Sequence, residues 1–152
     1  MSRHVFFSVS GLKLAIEADA LNAVHESLAV QRVAGTVNWF LGLSVINGKL
    51  VPVTDLGAFS GASPSSGRTL ELNSAVAHVA LRVDEVVGLR DTQPASSEPD
   101  RLTDRNQKTR GVAKRLMLTG QTVHSHGLEH EVLDLGAFVE SADFKNIKGT
   151  ST

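Results

Sequence analysis

Gly48-Lys-Leu-Val-Pro-Val-Thr-Asp55-Leu-Gly-Ala-Phe59 has a counterpart in Gly127-Leu-Glu-His-Glu-Val-Leu-Asp134-Leu-Gly-Ala-Phe138. The pentapeptide Asp-Leu-Gly-Ala-Phe recurs at an offset of 134 − 55 = 79 residues, and the flanks keep register, Gly48 with Gly127 and Val53 with Val132. In a chain of 152 residues this leaves two halves that end alike. Asp55 and Asp134 each precede a short helical turn whose free amides a carboxylate can accept from, while Leu and Phe pack inward. Capping and packing explain the pentapeptides themselves, so what they reveal is a duplication. Two copies of one β-rich unit point to a scaffold rather than an enzyme.

The segment before the first copy reads as the clearest hairpin in the sequence. Leu41–Ile46 and Lys49–Thr54 flank Asn47-Gly48, and a two-residue type I′ turn asks for positive φ at both central residues. Pro52 has no N–H to donate, which places it at an edge or a bulge. Val5, Phe7 and Val9, then Leu12, Leu14 and Ile16, alternate about Ser10-Gly11 and predict a second hairpin. Asp19-Ala-Leu-Asn22 suits a short helical turn. Thr69–Leu72 and Ala75–Val86 read as strands, and Asp91–Gln107, polar with Pro94 and Pro99, as the long loop between the units. Gly111–Leu118, Gln121–His126 and Leu128–Leu133 supply the last strands, and the tail from Ser141 is polar apart from Phe144 and Ile147. Short strands at this rhythm predict small barrels rather than a parallel sheet.

Composition narrows the function. Apolar residues make up 41% of the sequence, enough for a core, and the net charge of −1 offers no electrostatic footprint for nucleic acid or anionic lipid. Cysteine is absent, which removes disulfides and thiolate chemistry. No apolar run approaches the roughly 20 residues that span a bilayer. The expectation is a soluble, cytoplasmic protein with no direct membrane insertion.

Four stretches invite a chemical reading. His124 and His126 on one strand would point the same way about 7 Å apart, with His130 or Glu129 completing a metal site; the competing reading is a polar hairpin around Gly127. Gly61-Ala-Ser-Pro-Ser-Ser-Gly67-Arg68 imitates a phosphate loop, but the spacing is one too long and Arg stands for Lys, so it reads as a surface loop. Asp84-Glu85 would face opposite ways on a strand and reads as a solvated strand end. Gly42-Leu-Ser44 lacks the closing glycine of a nucleophile elbow. None of these supports catalysis, and no cofactor is expected.

Gly42-Leu-Ser-Val-Ile-Asn-Gly48-Lys-Leu-Val-Pro52-Val-Thr-Asp55-Leu56 resembles the Gly-Val-x-Asn-Leu-Arg-Gly-x-Ile-Val-Pro-Val-x-Asp-Leu run of the CheW-like domain, the adaptor module of bacterial chemosensory arrays. Leu81-Arg-Val83-Asp84-Glu85-Val86 and Gly111-Val-Ala113 resemble two further family segments in the same order. The resemblance spreads over most of residues 5–140. It implies a mainly β fold, two five-stranded SH3-like β-barrel subdomains around a shared apolar core, with short helical turns. Subdomain 1 would span about 18–86, subdomain 2 about 5–17 and 87–140, and a tail 141–152. It implies a non-enzymatic adaptor joining the cytoplasmic tip of a chemoreceptor, a methyl-accepting chemotaxis protein, to the regulatory domain of a CheA-type histidine kinase. Other CheW-like domains are further partners, and the output is chemotaxis or type IV pilus motility. Leu21 and Gly42 match positions bordering the receptor groove, and with Val45 and Asn47 they form the expected contact surface. Asn47 stands where the family has Arg, and Ala23 where it has Glu.

Overall fold

The structure, a computed structural model, describes residues 2–61, 63–94, 118–125, 128–140 and 144. Among the described residues ten strands alternate with turns: β1 (Ser2–Val9), β2 (Leu12–Glu17), a 3-10 turn (Ala18–Ala20), β3 (Leu21–His25), β4 (Phe40–Ile46), β5 (Lys49–Asp55), α1 (Leu56–Phe59), β6 (Thr69–Leu72), β7 (Ala80–Arg82), β8 (Glu85–Pro94), β9 (Leu118–Ser125), β10 (Leu128–Leu133) and α2 (Leu135–Glu140). They form two five-stranded units. One is a closed barrel in the order β1-β2-β10-β9-β8; the other is ordered β3-β6-β7-β5-β4.

The two orders correspond strand for strand, β8 to β3, β1 to β6, β2 to β7, β10 to β5 and β9 to β4. Each neighbouring pair keeps its sense. The strand leading into Asp-Leu-Gly-Ala-Phe pairs in parallel in both units, Val132 with Ala15 and Val53 with Ala80. One parallel pair per unit is what strand rhythm alone does not disclose. One irregularity repeats as well: the ladder skips Asn22 between β3 and β6 and Val87 between β8 and β1. The barrel closes through Gln93↔His124 and Pro94↔Val123. At the corresponding seam of the other unit stands a single bridge, Gln31↔Leu43, with N···O distances of 2.7 and 2.9 Å.

Alternation sorts the apolar residues into three clusters. Phe6, Ala15, Val123 and Val132 belong to the barrel alone, and Ile46, Val51, Val53 and Ala80 to the second unit alone. The opposite faces of the same strands, with Val5, Phe7, Leu14, Leu70 and Leu81, meet in the shared core. The twin pentapeptides converge there: Phe59 and Phe138 are fully buried, edge to face, with centroids 5.2 Å apart. Phe144 is buried against Phe138 at 4.7 Å and Trp39 at 6.0 Å, which ties this point of the C-terminal tail to the core. Each such buried side chain contributes roughly 1.5–3 kcal/mol.

Three local readings change. Ala75–Val86 is not one strand: β7 has three residues, and the backbone leaves the second unit at Val83-Asp84 to enter the barrel as β8, which runs on through Asp91 to Pro94. Asp84 is not a solvated strand end. It is half-buried, and its carboxylate accepts from Ser10 N at 2.6 Å and Ser66 N at 3.3 Å, pinning the crossover to the β1–β2 turn and the 63–67 loop. Pro52 sits on β5, an internal strand between β4 and β7. It is tolerated because its partner Leu43 turns its own N–H and C=O to Gln31, so the pair is not hydrogen-bonded, and the β7 ladder begins only at Val53.

Candidate partner-binding surface

Asn47 and Gly48 have φ of +51° and +78°, the two positive values a two-residue turn between twisted strands requires. The turn sets the register Ile46↔Lys49 and Val45↔Leu50. Ile46 and Val51 face the interior of the second unit, so Val45 and Leu50 must face out. They are 66% and 64% exposed, side by side, a non-polar pair on the solvent face of a short stiff hairpin. Val24 on β3, and Val87 and Leu89 on β8, are the other exposed large apolar side chains among the described residues.

The four expected contact residues divide. Val45 and Asn47 are both exposed on this hairpin. Gly42 lies on the same strand but is buried, with φ of +137°; a Cβ there would stand 2.1 Å from the Gln31 carbonyl oxygen. The close backbone approach it permits is met from within the protein by the bridging segment. Leu21, at the start of β3, is half-buried against the shared core, with Leu72 as its partner. Although β3 and β4 end opposite edges of the strand order, a cavity of about 170 Å³ brings Asn22, next to Leu21, near Asn47. Its floor includes Ile46, Val51 and Leu72, and Glu71 and His78 stand at its polar part.

Glu71 supplies the carboxylate of this surface. It receives His25 Nε2 at 2.8 Å and Asn22 Nδ2 at 2.9 Å, and its Cα partner is Ala23. The stretch in which the family resemblance expects an acid at position 23 therefore carries one from the neighbouring strand. Leu50 is absent from the sequence-based expectation, yet the signal for it is there: once Asn-Gly closes the hairpin, the residue opposite Val45 can only be Leu50. Asp84 has no such signal, because its partners Ser10 and Ser66 are remote in sequence.

The histidine cluster separates by register. His124 is the Cα partner of Glu129, and His130 that of Val123; His126 lies outside the described residues. The His130 ring is buried and stacked on Phe6 with centroids 4.4 Å apart. Its Nδ1 has no hydrogen-bond partner among the described residues. Burial pushes this imidazole below its ordinary pKa, and the positive charge of Lys13 acts in the same direction. His130 is thus a neutral member of the barrel interior. No group of three His, Asp or Glu side chains suited to a metal ion occurs among the described residues.

The model of the CheW-like domain family matches residues 3–123. The protein belongs to the CheW-like domain family. This CheW-like domain is similar in fold to the scaffolding protein TtCheW from Thermoanaerobacter tengcongensis, with a TM-score of 0.68 and 15% identity over 96% of this chain and 97% of that one. No curated protein matches it. Family membership makes this CheW-like domain an adaptor or scaffold of chemotaxis signalling and not an enzyme. Among the described residues no helix is long and apolar enough to cross a membrane.

Proposed function

We propose that this CheW-like domain is a cytoplasmic, non-enzymatic adaptor that couples the tip of a chemoreceptor to the regulatory domain of a CheA-type histidine kinase. The array it serves governs chemotaxis or type IV pilus motility, and other CheW-like domains join it there. The observation that carries the reading beyond family membership is the exposed Val45–Leu50 pair. Two adjacent apolar side chains on a hairpin held by positive-φ residues offer a preorganised contact that water covers poorly. Asn47 borders that pair, and the family resemblance adds Leu21 on β3 and Gly42 on β4 to the surface.

The test is direct binding of the purified domain to the kinase regulatory domain and to a receptor cytoplasmic fragment from the same genome. Val45→Glu with Leu50→Lys places charges on the exposed pair without touching the core. Wild-type binding to at least one partner, with a loss of about tenfold or more in the double variant, is expected. Wild-type protein that binds neither overturns the adaptor reading. Binding that the double variant retains in full keeps the reading and moves its surface elsewhere.

A further inference from the structure

We propose that Asn47 is a site of spontaneous deamidation that converts the β4–β5 turn from a neutral to an acidic, partly isomerised form. Of the asparagines in the sequence, only Asn47 precedes a glycine. Both residues are exposed, and the space where a Gly48 side chain would lie is empty to 4 Å. No hydrogen bond holds the Asn47 carboxamide or the Gly48 amide among the described residues. The Gly48 nitrogen, once deprotonated, can reach Asn47 Cγ when the turn opens.

The reaction balances without any co-reactant but water. The Gly48 nitrogen forms a bond to Asn47 Cγ, the Cγ–Nδ2 bond breaks, and ammonia leaves, which closes a five-membered succinimide. Water then adds to one of the two ring carbonyls. Breaking the ring bond at Cγ leaves an ordinary aspartate at position 47, and breaking it at the backbone carbonyl carbon leaves isoaspartate. Asn73-Ser74 is the instructive contrast. Its Nδ2 donates to Asp19 O at 3.2 Å and its Oδ1 accepts from Ala75 N at 2.9 Å, so its carboxamide is held away from the following nitrogen. Asn22 is held in the same way by Glu71.

Two consequences follow from position. A carboxylate at residue 47 enters the cavity that Glu71 already lines, setting like charges on one small surface. Isoaspartate adds a backbone atom to a two-residue turn, which alters the Val45↔Leu50 register. The effect on partner binding rests on the adaptor reading; the modification itself does not.

Folded, purified protein is held at mildly alkaline pH and mapped by peptide mass spectrometry, with isoaspartyl methyltransferase to label the isomerised product. Progressive loss of the amide at position 47 is expected, with Asn22 and Asn73 intact and a rate that rises with pH because the nucleophile is a deprotonated amide. Asn47→Gln, whose longer side chain would have to close a larger ring, keeps its amide over the same period. A native protein that keeps Asn47 intact while a free peptide of residues 44–51 deamidates overturns the proposal, as does earlier loss at Asn73. A pH-independent rate overturns the mechanism.

Discussion

Val45 and Leu50 face each other across β4 and β5; at the same offset the barrel hairpin of β9 and β10 pairs His124 with Glu129. One step along, Val51 fills the interior of the second unit while its counterpart His130 fills that of the barrel. The pairing frame is the same in both units, down to the parallel strand and a skipped residue, but side chains on both faces differ. Backbone hydrogen bonds and interior volume hold the frame, so an outward position can change from apolar to charged at little cost. The exposed apolar pair is therefore a property of one unit, whereas the fold belongs to both. The seams differ as well: a ladder closes the barrel, and one bridge closes its sister.

The sharpest test of that difference lies in two glycines. Gly42 and Gly88 have φ of +137° and +138°, each beside a ladder irregularity. A Cβ on Gly42 meets backbone, Gln31 O at 2.1 Å, whereas one on Gly88 meets the far end of the Arg90 side chain at 3.1 Å. Gly42→Ala is expected to cost about 4 kcal/mol or more by breaking the single-bridge seam, and Gly88→Ala about 1–2 kcal/mol of backbone strain alone. Urea unfolding of both variants checks this, and equal losses would show that the seam adds nothing.

The caps give the next contrast. Asp55 is buried, and its Oδ1 accepts from Ala58 N at 3.0 Å and Ser65 N at 2.9 Å, so it holds both α1 and the following loop. Asp134 is exposed and accepts from Ala137 N at 3.0 Å. Asp55→Ala is expected to lose about 2–3 kcal/mol, since one buried and one half-buried donor are left unpaired, and Asp134→Ala about 1 kcal/mol. Denaturant midpoints should fall in that order.

His130→Val, which copies Val51 into the barrel, is expected to stabilise by about 1 kcal/mol at neutral pH by removing an orphaned buried nitrogen. It should also flatten the acid side of the stability curve. The folded-state pKa values of His130 and His4 are lowered by burial from 6.5, so the unfolded state takes up protons first. Stability is then complete above that value and falls as pH drops through the lowered folded values. Urea midpoints followed from about pH 7.5 to about pH 5 should decline less steeply in the variant. The smallest effect belongs to the surface. Val45→Glu with Leu50→Lys should leave stability within about 0.5 kcal/mol of the wild type, and a larger loss would mean the pair is structural.

Much of this is legible in the sequence. The two hairpins, the capped turns after Asp55 and Asp134, and the inward Phe59 and Phe138 follow from local chemistry: alternation, an Asn-Gly turn and a carboxylate before free amides. Val45 is readable as outward for the same reason, and Leu50 with it. The crossover at Asp84, the break between β7 and β8 and the bridge over Gly42 are not. Each depends on a contact between residues distant in sequence, and a half-buried Asp reads like a surface Asp until its partners are placed.

By itself the sequence determined that this protein is duplicated, mainly β and built around two pentapeptide caps, because period-two patterning and turn chemistry act over a few residues. Only the tertiary structure decided what fills each interior and how each unit closes. That outcome rests on long-range pairing: it sends His130 into a core, and it lets Gln31 cover Gly42. Two positions alike in local pattern part company when one strand finds a neighbour on its other side.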